Sequence, residues 1–380
     1  MRKDWEVKKL RDVCNIEYGF PFNSRLFVDD STFMPLIRIR DLKTCSPVTF
    51  YTGEYDVNYI VHKGDYLIGM DGEFNIVEWK GDNGLLNQRI CRIRSSVKEL
   101  LNQFLLSYLP IPLKKIEDAT PFVTVKHLSA TKINNIEIPV PPIQIQQHIV
   151  EELDCLISII EKQKKQLEEL DNLAQSIFYD MFGDPIENEK GWDTKKMNDL
   201  CSKITDGEHI KPPVVKEGVP FLSAKDITNG FVDFSETLYV SKDFAKKSRE
   251  RCNPEYGNIL IISRGATIGK ICMIRTHKEF CLLGSVILIK YKETIDGIFL
   301  LYFLKNPGVQ AVLRTLCGAL AQPAIYLKDI KKINVLSPPL LLQQQFAAKI
   351  EVIEKQKELI KKSIKETEDL FNSRMDYYFN

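Results

Sequence analysis

Two long stretches of this chain obey a spacing rule that few folds can accommodate. From Pro141 to Gly183, steps of four and three residues place Ile149, Leu153, Leu156, Ile160, Gln163, Leu167, Leu170, Ala174, Ile177 and Met181 on one helical stripe, with charge elsewhere. Such a stripe is the seam of a coiled coil. The pattern returns from Pro338 to Asn380, an offset of 197 from Pro141 to Pro338, and carries Phe346, Ile350, Ile353, Lys357, Ile360, Ile364, Thr367, Phe371, Arg374 and Tyr378. Lys357, Thr367 and Arg374 interrupt this second stripe. In addition, Glu-Lys-Gln-Lys recurs at 161 and 354, an offset of 193, which leaves the register open by about one turn. Both stretches begin alike, with Pro-Pro-Ile-Gln-Ile-Gln-Gln from 141 and Pro-Pro-Leu-Leu-Leu-Gln-Gln from 338. Proline suits a first helical turn because the donor it lacks would be orphaned there. Gly183, with Pro185 just beyond, is the expected end of the first helix.

The segments between the helices repeat as well. Trp5-Glu-Val-Lys-Lys-Leu-Arg-Asp-Val-Cys14 matches Trp192-Asp-Thr-Lys-Lys-Met-Asn-Asp-Leu-Cys201 at Trp, both Lys, Asp and Cys. Pro35-Leu-Ile-Arg-Ile-Arg-Asp41 matches Pro220-Phe-Leu-Ser-Ala-Lys-Asp226, and Gly64-Asp-Tyr-Leu-Ile-Gly69 matches Gly257-Asn-Ile-Leu-Ile-Ile262. Read with the period of a strand, Ile37 and Ile39 face a core while Arg38 and Arg40 face out, and Leu222 and Ala224 face in while Ser223 and Lys225 face out. Those outward residues could present basic and hydroxyl groups to a phosphate backbone, or simply form a solvated strand face. The third pair of strands empties into glycine-bearing loops, Met70 to Asn75 and Ser263 to Lys270, and such loops are common places for recognition.

With 380 residues, 44% of them hydrophobic, the chain has material for two or more cores. Its nine cysteines contain no Cys-x-x-Cys pair and read as reduced thiols of the cytoplasm. No apolar run approaches the ~20 residues of a membrane-spanning helix. A net charge of +1 leaves nucleic acid open, since local clusters of Lys and Arg decide that question. One such cluster, with five cations, runs from Ser241 to Arg251, and a polar turn runs from Thr205 to Pro213. Two basic modules on a rigid spacer suit a ligand that itself repeats, as duplex DNA does. Chemistry is harder to find. Ser263-Arg-Gly-Ala-Thr-Ile-Gly-Lys270 has three residues between its glycines where the phosphate-cradling loop needs four, and Ile271 where that loop needs a hydroxyl. The Pro-Pro elements at 141, 212 and 338 lack the aromatic ring that would stack a flipped base. His62, His127, His148, His209 and His277 have no metal-ligand spacing.

Taken together, these residues resemble the specificity subunit of type I restriction-modification enzymes over essentially the whole chain. The carriers are the order module, Pro-Pro-x3-Gln-Gln helix, module, Pro-Pro-x3-Gln-Gln helix, and the stretches Thr205-Asp-Gly-Glu-His209, Pro220 to Asp226 and Ser263 to Lys270. Gly19-Phe-Pro-Phe-Asn-Ser24 looks like the corresponding loop of the first module. The resemblance implies an α+β fold: two similar α/β target-recognition domains, 1–140 and 185–337, separated by two long antiparallel coiled-coil helices, 141–184 and 338–380. Each domain would read half of a bipartite DNA site, and the helices would set the gap and dock two methyltransferase subunits. Restriction subunits, which translocate and cut, would complete the complex. Methyl donor, ATP and magnesium would be bound by partner chains and none by this one. Expected DNA contacts are Asn23, Ser24, Arg25, Arg38, Arg40 and Asp71 in the first domain. In the second they are Thr205, Asp206, His209, Lys211, Ser223, Lys225, Arg264, Thr267 and Lys270. The rival readings are a stand-alone DNA-modifying enzyme and a coiled-coil scaffold with protein-binding modules.

Overall fold

A computed structural model describes residues 5–120, 126–210, 212–228, 230–316 and 323–379. The chain forms two compact units, Met1–Lys164 with Ser363–Asn380, and Lys165–Lys362. Each therefore takes part of both long helices.

In the first unit the central sheet is antiparallel, with strands in the order Cys14–Tyr18, Ile90–Ser95, Tyr66–Gly69 and Ile76–Glu78. A second sheet of short strands pairs Met34–Ile37 in parallel with Gly84–Leu86. A two-stranded ribbon joins Glu6–Lys9 to Glu137–Val140 and so ties the two ends of the module together. The second unit repeats all three features. Its central sheet runs Cys201–Asp206, Val286–Tyr291, Ile259–Ile262, Ile271–Met273; Val219–Leu222 pairs in parallel with Cys281–Leu282; and Thr194–Lys196 pairs with Asn334–Leu336. The duplication read from the sequence is thus a duplication of topology. Tyr66–Gly69 and Ile259–Ile262 are buried along their whole length, which is why these matched strands are continuous apolar runs without alternation.

The long helices run Ile143–Phe182 and Leu340–Phe379. Gly183 ends the first with a φ of +77°, a left-handed cap that costs glycine little. Of the expected interface residues, Ile149, Leu153, Leu156, Phe346, Ile350, Ile353 and Ile364 are buried, while Ile160, Leu167, Leu170, Ile177, Ile360 and Phe371 are half-buried. Phe178 and Phe182, beside the stripe, are more deeply buried than Ile177 and Met181, because the globular part of the unit covers that flank. Within the first unit, Glu152 pairs with Arg374 and Gln163 Nε2 donates to Ser363 Oγ at 2.7 Å. Within the second, Lys357 Nζ donates to Asp171 Oδ1 at 2.6 Å, and Phe178 packs on Phe346 at 5.6 Å. As numbers rise along one helix they fall along the other, so the packing is antiparallel in each unit. The helix starts, Ile143 and Leu340, settle the offset at 197, not the 193 of the Glu-Lys-Gln-Lys recurrence.

The polar interruptions of the second stripe are satisfied at the seam. Burial lowers the Lys357 pKa, but Asp171 and Glu354 more than offset this and hold the ammonium above its ordinary value. Arg374 donates to Glu152 Oε2 at 2.8 Å and to Tyr378 Oη at 2.7 Å, and Thr367 Oγ1 donates to the Ser363 carbonyl at 2.8 Å. A slipped pairing would leave the lysine and the arginine facing apolar residues, so they specify register at some cost in stability.

The first glutamine of each Gln-Gln pair is a clamp. Gln146 is fully buried; its Nε2 donates to the Glu99 and Pro141 carbonyls, both at 2.7 Å, and its Oε1 accepts from the Leu101 amide at 2.9 Å. Gln343 repeats this with the Pro338 carbonyl at 2.8 Å and the Asp296 amide at 2.9 Å. Gln146→Leu and Gln343→Leu should each destabilise their own unit by about 1–3 kcal/mol, because they strand buried backbone groups. Gln147→Leu and Gln344→Leu, at exposed positions, should change stability by less than ~0.5 kcal/mol. Hydrogen exchange of the two units, compared variant by variant, checks both expectations.

Candidate nucleic-acid interface

The matched strands place their loops at one end of each central sheet. In the first unit Cys91 lies opposite Tyr18 on one side and Ile68 on the other, so the residues after Tyr18, those after Gly69 and those before Ile90 converge. In the second, Asp206 lies opposite Ile287, and Ile262 opposite Val286, with the same effect. The loop backbones then pack hard against each other. A Cβ on Gly19 would sit 2.0 Å from the Asn87 carbonyl oxygen, and one on Gly207 would sit 2.0 Å from that of Leu282.

At this end of the first unit lies a cleft of about 480 Å³, lined by Phe22, Ser24, Phe27, Arg38, Ile39, Arg40, Asp71, Asn87, Gln88 and Arg89. Four of the expected residues, Ser24, Arg38, Arg40 and Asp71, therefore meet. Asn23 and Arg25 do not line it. Asn23 Oδ1 accepts from the Arg25 amide at 3.1 Å and caps the short turn Ser24–Leu26, leaving Arg25 exposed.

Arg38 and Arg40 reach the cleft by a route the strand period did not foresee. The strand stops at Ile37 and the chain enters a single 3-10 turn, Ile39–Asp41. The cause is Asp41, only 2% exposed, whose Oδ2 accepts from the Arg38 amide at 2.9 Å. Burial raises the Asp41 pKa, partly countered by that amide and by the Arg40 and Arg38 guanidinium groups. Arg40 also donates to Thr49 Oγ1 at 2.8 Å. The second unit has the same device. Val219–Leu222 is buried at all four positions, and Asp226 accepts from the Ser223 amide at 2.7 Å and from Ser223 Oγ at 2.9 Å to start the turn Ala224–Asp226. Ser223 is thus committed to its own turn, while exposed Lys225 reaches the Glu236 carbonyl at 3.0 Å.

Among the other expected contacts, Thr205 is buried, 8% exposed, because it lies within the strand Cys201–Asp206 opposite Leu288, where both faces of the sheet are covered. Arg264 and Lys270 are exposed and Thr267 is half-buried, all on the hairpin between Ile259–Ile262 and Ile271–Met273. That hairpin joins two strands and does not open a helix, so it lacks the geometry of a phosphate loop. Lys211 lies outside the described residues. Asp206 and His209 are in contact, with His209 Nε2 3.0 Å from Asp206 Oδ2, and Arg251 donates to Asp206 Oδ1. Arg251 ends the helix Lys242–Arg251, whose Ala245 and Ser248 are buried while Lys242, Lys246 and Lys247 are exposed.

A comparable trio stands at the first cleft. His127 Nδ1 is 2.6 Å from Asp71 Oδ1, and Arg89 Nε is 3.3 Å from Asp71 Oδ2. Sequence reading missed Arg89 with Asn87 and Gln88. Its available signal was a polar tripeptide between the apolar strand Gly84–Leu86 and the apolar start, Ile90-Cys91, of the next. The surfaces offer cationic and amide donors, amide and carboxylate acceptors, and aromatic rings, a set suited to phosphates and base edges. Burial pushes the thiols of Cys14, Cys91, Cys201, Cys252 and Cys272 up to about 12, far from the range of a thiolate nucleophile.

Comparison with known proteins matches this arrangement. A family model described as the type I restriction modification DNA specificity domain matches residues 2–171 and again 189–369. The type I restriction enzyme EcoBI specificity subunit of Escherichia coli is 29% identical over 378 residues, covering 91% of this chain and 78% of that protein. The MjaVIII specificity subunit of Methanocaldococcus jannaschii is 22% identical over 394 residues, covering 97% and 92%. Among solved structures, the S subunit of a type I restriction-modification system from M. genitalium aligns with a TM-score of 0.59 at 14% identity, over 99% of this chain and 96% of its own. A chain from work on complex assembly and conformational transition of the type I R-M system gives 0.57 at 18% identity, over 99% and 97%. At such identities the structural likeness bears on the fold.

The close approach at the loops is directly testable. Gly19→Ala and Gly207→Ala should each force backbone apart and destabilise the respective unit by about 1–3 kcal/mol. Gly72→Ala, where a Cβ would meet nothing within 4 Å but φ is +75°, should show only the smaller backbone penalty of about 1 kcal/mol. Thermal unfolding of the three variants makes the comparison.

Proposed function

This chain belongs to the type I restriction-modification DNA specificity family, and from that premise we propose a division of labour within it. It is a DNA specificity subunit, a non-catalytic component of the restriction-modification enzyme. Module 1–140 reads one half of a bipartite duplex target and module 185–337 reads the other. The spacer helices, 141–184 and 338–380, set the gap and dock two methyltransferase subunits, and restriction subunits join the full complex. Methyl donor, ATP and magnesium belong to those partners. No helix among the described residues is long and apolar enough to cross a membrane. The site of action we propose is the cytoplasm, because the DNA to be read lies there.

The observation that carries this reading is the repetition of one design. Two modules of the same topology bring an arginine, an aspartate and a histidine to the same end of the same sheet, and each is fused to a long helix by the same glutamine clamp. A repeating ligand fits a repeated reader.

Three outcomes follow. In the complex with its methyltransferase partner, exchanging residues 185–337 for the equivalent module of a related subunit should change one half of the methylated motif and leave the other as it was. A change in both halves would contradict independent readers. Arg38→Ala and Lys225→Ala should each weaken DNA binding for all sequences and lower the salt slope by ~1. Finally, the antiparallel pairing makes Leu156–Lys162 and Ile364–Leu370 facing heptads in the first unit, between the Glu152–Arg374 and Gln163–Ser363 contacts. Deleting both shortens the spacer by roughly 10 Å, about three base pairs, and keeps every other seam pair. The shortened protein should prefer a shorter gap or lose tight binding; full affinity for the original gap would leave the helices only a docking role.

A further inference from the structure

Each module carries one arginine whose guanidinium is held by an aspartate, and a histidine contacts that same aspartate through its other oxygen. In the first, Arg89 Nε lies 3.3 Å from Asp71 Oδ2, Arg89 Nη1 lies 3.5 Å from His127 Nδ1, and that nitrogen is 2.6 Å from Asp71 Oδ1. In the second, Arg251 Nη2 donates to Asp206 Oδ1 and lies 3.4 Å from His209 Nε2, which is itself 3.0 Å from Asp206 Oδ2. The arginine side chains are about half exposed, 52% and 47%, while the aspartates beneath them are 23% and 14% exposed.

The two trios are not copies of one ancestral set. Matched hydrogen bonds, Met70 amide to Arg89 carbonyl and Ser263 amide to Ser285 carbonyl, put Ser285 where Arg89 would be. By the isolated bridges Asp71 to His127 and Arg264 to Ala324, the place of Asp71 is taken by Arg264. The place of Asp206 is taken in the first module by Tyr18, since Tyr18 and Asp206 face the matched residues Cys91 and Ile287. Duplication alone would carry the same residues at the same positions. Here the same three side-chain types were assembled twice from different positions, at the same end of the same sheet.

Resting on the module reading above, we propose that Arg89 and Arg251 are specificity-determining residues, each reading a guanine in its own half-site and positioned for it by the Asp beside it, which the His braces. The chemistry separates a base edge from a phosphate. A carboxylate against the guanidinium cancels much of the charge a phosphate would seek, so an arginine held in this way is a poor phosphate contact. It is instead a fixed fork: of its five N–H donors, those turned from the aspartate remain for the O6 and N7 acceptors of guanine in the major groove. Fixing the fork beforehand also removes rotamer freedom that binding would otherwise have to quench. The other exposed cations of the two ends, such as Arg38 and Lys225, keep the phosphate role.

The test uses the complex with methyltransferase subunits and maps methylated sites for Arg89→Ala, Arg89→Lys, Asp71→Asn and Arg251→Lys. Each half of the wild-type target should contain a guanine in one strand or the other, and a half-site without a G·C pair overturns the assignment for its module. Arg89→Lys keeps the charge and loses the fork. It should relax one position of the first half-site by about tenfold to a hundredfold, leave the second half-site intact and leave the salt slope unchanged. Arg251→Lys should do the same in the second half-site, and Asp71→Asn should relax the same position as Arg89→Lys. Unaltered specificity in the lysine variants, or uniform loss of affinity for Arg89→Ala with a salt slope lower by ~1, would overturn the proposal. Failure of the module reading looks different, because exchange of 185–337 would then disturb both half-sites whatever these arginines do.

Discussion

Neither globular core of this protein is closed by its own module. In the first unit, Phe104 and Tyr108 pack on Phe379, with ring centroids 5.8 and 5.3 Å away, and Ile149 and Leu153 complete the same cluster. In the second, Phe299 packs on Phe182 at 4.7 Å and on Phe178 at 5.7 Å, and Phe346 meets both of those helix residues. Each buried aromatic contributes about 1.5–3 kcal/mol, so the helix ends supply a large share of each unit's stability. A helix pair bound in this way cannot slide or roll without opening a core. Lys357 and Arg374, which reach Asp171 and Glu152 on the facing helix in this register, add a second lock.

From this frame the candidate interface follows. The buried glutamine clamps fix where each long helix leaves its module, and the central sheet projects its loops from one end. Glycines 19 and 207 let strands of two sheets approach until no Cβ would fit. Asp41 and Asp226 then turn the chain away from the parallel strand, which swings Arg38 and Arg40 into the cleft of the first unit. The side chains proposed for recognition thus sit on short loops braced by buried backbone contacts, the arrangement a reader of base edges would require.

Much of this was legible in the sequence, and the reason is periodicity. A 4-3 stripe leaves a helix few choices, and Ile149 to Met181 and Phe346 to Tyr378 fall on the inward faces as spaced. Repeats were legible because matching Trp, Gly, Pro and Asp residues hold fixed places in turns and strands. What periodicity could not give was any geometry set by side-chain hydrogen bonds. The alternation of Ile37, Arg38, Ile39 and Arg40 reads as a strand until Asp41 is seen to accept the Arg38 amide, although an aspartate closing both copies of that motif was the clue. Thr205 looked outward only because its neighbours did. Arg89 escaped attention, and Arg251 was read only as the end of a basic cluster, because their partners, Asp71 with His127 and Asp206 with His209, are distant from them in sequence, and no local pattern encodes such a meeting.

What we propose for this chain is two separate readers with a gap set by the helices. Co-expressing the unaltered protein with its methyltransferase partner and mapping every methylated adenine in the host DNA tests this most directly. The account predicts a single motif made of two short defined blocks separated by a constant number of undefined base pairs. One contiguous block, or two blocks at variable separation, would contradict it.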